Sequence, residues 1–385
     1  MRLKNVYIIG RAIGIGRTQN LVKYLLDQRE HGIDVYYNSL KPNLHLRESM
    51  ISGISNRFFI IIHVIIKRLF SLYNLAISDI VIVPAMGQVN QFELKYARIL
   101  EKVVITDFFI SFYDSQVLDR KNVKPGSKQA LKLKKYDFNC INKSNYTIFL
   151  NKSESNYYLD LLNIPYNPAK HFIVPLCIEE SIIKCEVNYF SKSDPSKVFN
   201  ICWWGTYIPL HGLEKIIEAA KILKRDYHLN FHIYLFGTSE EKSKPYLNLI
   251  EEYKVSSVIS IDNSSTFKNG KLTEFLVKKC DLVLGNFGDS AKAKNVLVNK
   301  LIDGVAMKAP VITGESIAPH EFFSENEIFY TKNNPELIAE KIHFISQLEN
   351  NNIMAQIDRA YDIYKKSFSI KAYQNKMDDM FKNLI

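Results

Sequence analysis

Lys4-Asn-Val-Tyr-Ile-Ile-Gly10-Arg-Ala-Ile-Gly14-Ile-Gly16-Arg17 holds an apolar run, Val6–Gly10, that ends in glycine and enters a turn with two further glycines. A helical stretch from Thr18 to about Glu30 and a second apolar run at Ile33–Tyr37 follow, so the first 37 residues read as a β-loop-α-β unit. Further strands read at Ile80–Val83, Val103–Thr106, Thr147–Leu150 and His171–Val174, separated by stretches long enough for helices. The economical reading is a parallel, doubly wound α/β sheet. The polar segment Tyr189–Ser196 breaks the pattern. The alternation then restarts with Val198–Trp204, a helix Leu213–Lys224, Phe231–Phe236, a helix Leu272–Lys279, Leu282–Gly285, a helix near Asn299–Met307 and Pro310–Thr313. Two α/β domains are expected, 1–192 and 193–371, which agrees with a length of 385 residues.

Composition narrows the class. With 47% hydrophobic and 23% charged residues the chain is of the globular kind. Five widely spaced cysteines without a C-x-x-C pair argue against a disulfide framework or a zinc ribbon, and a reducing cytoplasm fits. Arg11 and the glycines interrupt the apolar N-terminus, which argues against a secretory signal. The longest apolar run, Phe58–Ile66, is broken by His63 and falls short of the ~20 residues a membrane span requires. Residues 1–196 carry 26 Lys+Arg against 17 Asp+Glu, whereas residues 197–385 carry 24 against 23. The first half should therefore meet something anionic. No groove-reading module accompanies that charge, so nucleic acid is not the expected partner.

Three turns could carry chemistry. Gly10–Arg17 lets an anion approach a helix N-terminus, although Gln19 stands where a dinucleotide fingerprint needs its last glycine. Trp203-Trp204-Gly205-Thr206-Tyr207-Ile208-Pro209-Leu210-His211-Gly212 repeats the strand–glycine–helix entry. There His211 either serves a ligand or merely caps the helix. After Asp281–Leu284, Gly285-Asn-Phe287-Gly288-Asp-Ser-Ala-Lys292-Ala-Lys294-Asn295 supplies glycines and lysines, and the helix beyond it carries Asp303. A carboxylate so placed can accept from two ribose hydroxyls while lysines offset diphosphate charge. Spacing alone leaves Lys300 and Asp303 equally open as a solvated i,i+3 pair.

The order of these segments resembles the retaining glycosyltransferases of family 4, which have the GT-B fold of two facing Rossmann-like domains. Gly205–Gly212 is similar to that family's phosphate loop, and Asn299–Thr313 to its ribose-binding helix and the strand after it. Phe109–Arg120, with Gly87-Gln88 upstream, resembles the first-domain loops of a bacterial branch. Ala372–Ile385 looks like the helix that crosses back onto the first domain. Thr206 and His211 stand where the pattern has Arg and Lys, and Asn295 and Asp303 where it has two glutamates. The resemblance implies a cleft between the domains and metal-independent transfer of a sugar from a nucleotide-sugar to a hydroxyl of a glycan or lipid-linked acceptor, in bacterial surface polysaccharide synthesis. The donor set it implies is Gly14, Gly16, Gly205, Thr206, Gly237, Phe287, Gly288, Lys292, Asn295, Asn299 and Asp303. Lys294 and His211 would face the leaving diphosphate, and Asp107 or Asp114 the acceptor hydroxyl, unless these two only cap a strand end. Asp303→Ala is then expected to weaken donor binding by about 2–3 kcal/mol with little loss of folding stability. A nucleotide-sugar 2-epimerase and a catalytically silent partner subunit stay open as alternatives. Lys128, Lys132 and Lys135 recur at helical spacing and, with Arg57–Leu72, are expected to lie on anionic headgroups at the inner face of the plasma membrane, to hold a lipid-linked pyrophosphate acceptor, or to be an ordinary solvated face and core helix.

Overall fold

The computed structural model describes residues 4–10, 16–28, 32–37, 54–178 and 197–382, with 54–64 and 67 described as backbone only. The expected domain boundary at 192/193 and Gly14 lie outside the described residues. The chain divides into two compact units, Met1–Phe149 with Tyr158–Ile173, and Leu150–Tyr157 with Val174–Ile385. The C-terminal helix Ile370–Lys382 is grouped with the second unit.

The first unit is built on β1 (Lys4–Ile8), β2 (Ile33–Tyr37), β3 (Ile80–Val83), β4 (Val103–Asp107), β5 (Tyr146–Phe149) and β6 (His171–Ile173). All pairings are parallel, in the order β2-β1-β3-β4-β5-β6. Ile-Val-Ile-Val in β3 is buried throughout, the unbroken apolar run that a strand covered on both faces requires. Helices follow β1 (Gly16–Asp27), β2 (Ile54–Ile77), β3 (Gln91–Ile99), β4 (Lys128–Asn142) and β5 (Lys152–Leu162). The strand order reverses between β1 and β3, so the loops after these two strands flank the point where open α/β sheets bind ligands. They do meet: Gly10 adopts φ +76°, and a Cβ there would collide with the Asn90 side chain.

The second unit carries β7 (Phe199–Trp204), β8 (Phe231–Phe236), β9 (Ile259–Asp262), β10 (Leu282–Leu284), β11 (Val311–Gly314) and β12 (Phe329–Thr331). These too are parallel, in the order β12-β11-β10-β7-β8-β9. Here the order reverses between β7 and β10. The core joins Ile201 and Trp203 of β7, Ile233 and Leu235 of β8 and Leu282 and Leu284 of β10 to Ile216, Ile217 and Ala220 of the Leu213–Ile222 helix. Among the described residues no helix is long and apolar enough to cross a membrane.

Candidate functional site

In the second unit the loops after β7 and β10 pack backbone to backbone. Pro209–His211 forms a single 3₁₀ turn, and Gly212 follows in the left-handed region at φ +61°. A Cβ on Gly212 would stand 2.6 Å from the carbonyl carbon of Phe287, so only glycine permits this approach. The Phe287 N–H donates to the His211 carbonyl (3.2 Å), which ties the two loops together at the switch point.

Beneath that junction lies a buried polar cluster. Trp204 Nε1–H donates to Asp303 Oδ2 (3.1 Å). Lys300, one turn earlier on the Asn299–Ala306 helix, brings Nζ to 2.8 Å from His211 Nδ1 and 4.7 Å from the Trp203 ring centroid. Trp203 meets the His211 ring edge-on at 5.4 Å. Burial raises the Asp303 carboxyl to about 7, against the lowering effects of Trp204 and Lys300. Burial likewise holds Lys300 well below the ordinary lysine value, opposed by Asp303. His211 is held well below its ordinary value by burial, then by the charges of Lys300 and Lys292. All three directions follow from placing ionisable groups where water cannot solvate their charged forms.

The other expected donor residues divide by position. Gly205, Gly288 and Lys292 line the same two loops, and Lys292 is buried. Thr206, Lys294 and Asn299 are exposed, and Phe287 is fully buried among core side chains. Asn295 turns Nδ2 back to Ala291 O (2.8 Å), and its carbonyl accepts from Asn151 Nδ2 and Ser153 Oγ. Gly237 lies under the Tyr207 ring, whose hydroxyl donates to Asn263 Oδ1 (2.8 Å). Nearby, a cavity of about 370 Å³ opens at the carboxyl ends of β8 and β9, lined by Thr238, Ser239, Asp262, Asn263 and Ser264 among others.

Burial revises two sequence expectations. Lys300 and Asp303 are only 3% and 6% exposed, so they are no solvated pair, because Leu301, Ile302, Val305 and Ala306 bury the helix around them. For the same reason Asp303→Ala cannot be neutral to folding, since it strands the Trp204 N–H. The composition of the helix held the signal: a lysine inside so apolar a segment needs a buried partner.

In the first unit Asp107, at the end of β4, accepts the Arg17 Nε–H at both oxygens, 2.7 and 2.9 Å, and is 3% exposed. Burial raises its carboxyl, and the Arg17 charge and hydrogen bond oppose that. Asp107 is thus held in a buried ion pair. Gly16 is exposed at the start of the Gly16–Asp27 helix. Asp114 is buried, and its N–H donates to Ser111 Oγ (3.0 Å). Sequence reasoning missed Asp137, a buried carboxylate that accepts from Ser111 Oγ and the Phe112 and Tyr113 N–H groups, and so shapes the 111–114 segment. Burial brings it to about 6.

No protein-family model matches the sequence, and no curated protein does. Solved structures match it over the whole chain. A glycosyltransferase from Rickettsia africae is similar at a TM-score of 0.66 and 16% identity, over 100% of this chain and 98% of that one. A sucrose-phosphate synthase from Thermosynechococcus elongatus is similar at 0.69 and 10%, over 100% and 99%. Anabaena HepE, solved in complex with UDP and glucose, is similar at 0.63 and 11%, over 99% and 100%. The two parallel six-stranded sheets with their flanking helices are the GT-B fold of these proteins.

Proposed function

We propose that the protein is a glycosyltransferase that moves a sugar from a nucleotide-sugar to a hydroxyl of a glycan or lipid-linked acceptor, with retention at the anomeric carbon, in the synthesis of a bacterial surface polysaccharide. The observation that carries this reading is the Trp204–Asp303 and His211–Lys300 cluster beneath the glycine loops of β7 and β10. A nucleoside diphosphate bound there would meet the close-packed glycine loops, a carboxylate for its ribose hydroxyls, and the charges of Lys292 and Lys294. Donors fixed in advance toward the leaving diphosphate stabilise the charge that develops as the glycosidic bond breaks. Asp303 Oδ1 receives no protein donor among the described residues, which leaves it open to a hydroxyl. HepE, of the same fold, was solved with UDP-glucose, which makes uridine diphosphate sugars the first donors to try. The first unit would take the acceptor, with Asp107 or Asp114, both buried, as the carboxylate at its hydroxyl.

Nucleotide-sugars are expected to raise the melting temperature, because a ligand of the folded state adds RT ln(1 + [L]/Kd) to its stability. Slow donor hydrolysis without acceptor should accompany binding. A panel of UDP-, GDP- and ADP-sugars that shifts nothing would refute the reading, and binding without hydrolysis or transfer would favour the silent subunit.

A membrane-facing role on the cytoplasmic side has its own support. The Ile54–Ile77 helix exposes Ile65, Ile66, Leu69, Phe70 and Tyr73, each between 51% and 63%. In the same unit the Lys128–Asn142 helix exposes Lys128, Lys132 and Lys135 beside Leu131. An exposed apolar helix face and, on a second helix of the unit, an exposed row of lysines suit an anionic headgroup layer, where each lysine contributes about 1 kcal/mol, screened by salt. Replacing the three lysines by Gln should weaken cosedimentation with phosphatidylserine-containing vesicles and leave nucleotide-sugar affinity unchanged. Parental vesicle binding by the triple variant at low salt would reduce these lysines to a solvated face.

A further inference from the structure

We propose that Lys300 is a positioning residue that occupies His211 Nδ1 and thereby fixes His211 as the Nε2–H tautomer, a neutral donor presented to the ligand at the Gly205 turn. This inference rests on the reading that the turn takes a diphosphate. Its geometry is local to the second unit. Lys300 Nζ stands 2.8 Å from Nδ1, and the Trp203 ring, 4.7 Å away, cushions a cation there. As an ammonium, the state that the Trp203 face and the Asp303 carboxylate favour, Lys300 can only donate, and the lone pair this requires at Nδ1 puts the ring proton at Nε2. Among the described residues Nε2 has no protein partner, and it lies 3.5 Å from where a Cβ on Gly205 would stand. The bare glycine leaves that N–H uncovered.

The pair reassigns the site's charge. Where the related sequence pattern has a lysine, the chain has His211, and the buried cation sits behind it on the Asn299–Ala306 helix. His211 then meets the diphosphate as a hydrogen-bond donor polarised by Lys300, not as a second point charge. The groups that face it are Lys300 from that helix, Lys292 from the Ala291–Asn295 helix and the Trp203 ring from β7, with Asp303 beside Lys300. Burial first, and then the charges of the two lysines, oppose protonation of the imidazole, so His211 stays neutral well below the pH at which a free histidine titrates.

Selective ¹⁵N-histidine labelling reads the tautomer directly, with the His211 signals identified by their loss in His211→Gln. Of the nine histidines, His211 is expected to show a bare Nδ1 and a protonated Nε2 without change from about pH 8 to about pH 5.5, across the ordinary histidine titration. A Nδ1–H tautomer, or a doubly protonated ring within that range, would overturn the proposal, and this readout needs neither a variant of Lys300 nor a ligand. Calorimetry with UDP-glucose, whose diphosphate diester does not itself titrate in this range, gives the functional arm. Wild-type affinity should vary less than about twofold over the range. In Lys300→Met the ring stays neutral, because burial still opposes its charge, but Nδ1 loses its donor and the Nδ1–H tautomer becomes accessible, so affinity should fall roughly three- to tenfold at every pH. That loss should not add to the loss caused by His211→Gln when the two are combined in Lys300→Met/His211→Gln. Wild-type affinity in a folded Lys300→Met would count against the proposal. If UDP-glucose binds neither protein, the donor reading has failed, and the labelling result still decides the tautomer.

Discussion

Arg17→Met should destabilise the first unit by about 3–5 kcal/mol at neutral pH, the usual cost of removing one member of a buried ion pair. Arg17 Nε supplies both hydrogen bonds that reach the Asp107 carboxylate, and both side chains are nearly sealed from water. Without the guanidinium, Asp107 must either keep an uncompensated charge or take up a proton, and at neutral pH either course costs free energy. The sign of the pH dependence follows. The Asp107 carboxyl is already raised in the folded state by burial, and losing Arg17 raises it further. A raised acid contributes stability that is complete below its unfolded value, near 4, and is lost as pH rises through its folded value. The deficit of Arg17→Met should therefore be largest at neutral pH and shrink toward about pH 4. Arg17→Met/Asp107→Leu, which replaces the pair by apolar groups of similar size, should recover most of the loss. Hydrogen exchange at β1 and β4 amides is the measurement of choice, because both tryptophans belong to the second unit and fluorescence would miss the event. If the single variant protects these amides like the parent, the pair is not what secures the ends of β4 and the Gly16–Asp27 helix. Transfer activity in a folded double variant would also dismiss Asp107 as the acceptor's carboxylate.

The same pair marks the limit of what the sequence told. Strands with a run of apolar residues announce themselves: β3, buried throughout, and β8 match their runs residue for residue, and β1, β4, β5 and β7 to within one or two. The Ile259–Asp262 and Phe329–Thr331 strands, four and three residues long, went unread, because Ser260 and Asp262 dilute one run and the other is too short to show a period. Pro245 hid the Glu240–Glu252 helix, which forms regardless with Ser239 capping it through the Lys242 N–H. Site residues were legible as loops, because glycines after strands declare themselves. Their partners were not. Nothing in the spacing says that Asp107 turns to a residue 90 positions earlier, that Asp303 takes the indole N–H of Trp204, or that Lys300 reaches His211. Such pairings are tertiary, and local pattern carries no information about them.

Asp303 joins stability to ligand binding most closely, and Asp303→Ala is expected to lose both. Truncation leaves the buried Trp204 N–H without an acceptor and removes the carboxylate that offsets the Lys300 charge, a cost on the order of 2–4 kcal/mol. Asp303→Asn separates the two effects. Its Oδ1 can still accept from Trp204, so the fold should hold, while the loss of the charged acceptor at the ribose hydroxyls should weaken nucleotide binding roughly tenfold or more. The comparison also carries a pH signature. Burial raises the Asp303 carboxyl to about 7, so its contribution to stability is complete below the unfolded value near 4 and fades as pH climbs through 7. Asparagine does not titrate, and the stability of Asp303→Asn relative to the wild type should therefore rise between about pH 4 and pH 8, by on the order of 2 kcal/mol given the opposing Lys300 charge. Tryptophan fluorescence during urea unfolding at several pH values reads this directly, since Trp204 holds the carboxylate. A pH-independent difference between the two proteins would show that Asp303 ionises as it would in water. Unchanged nucleotide affinity in the folded Asp303→Asn protein would remove it from the ribose site, and the Trp204–Asp303 contact would then be architecture for the β7 and β10 loops alone.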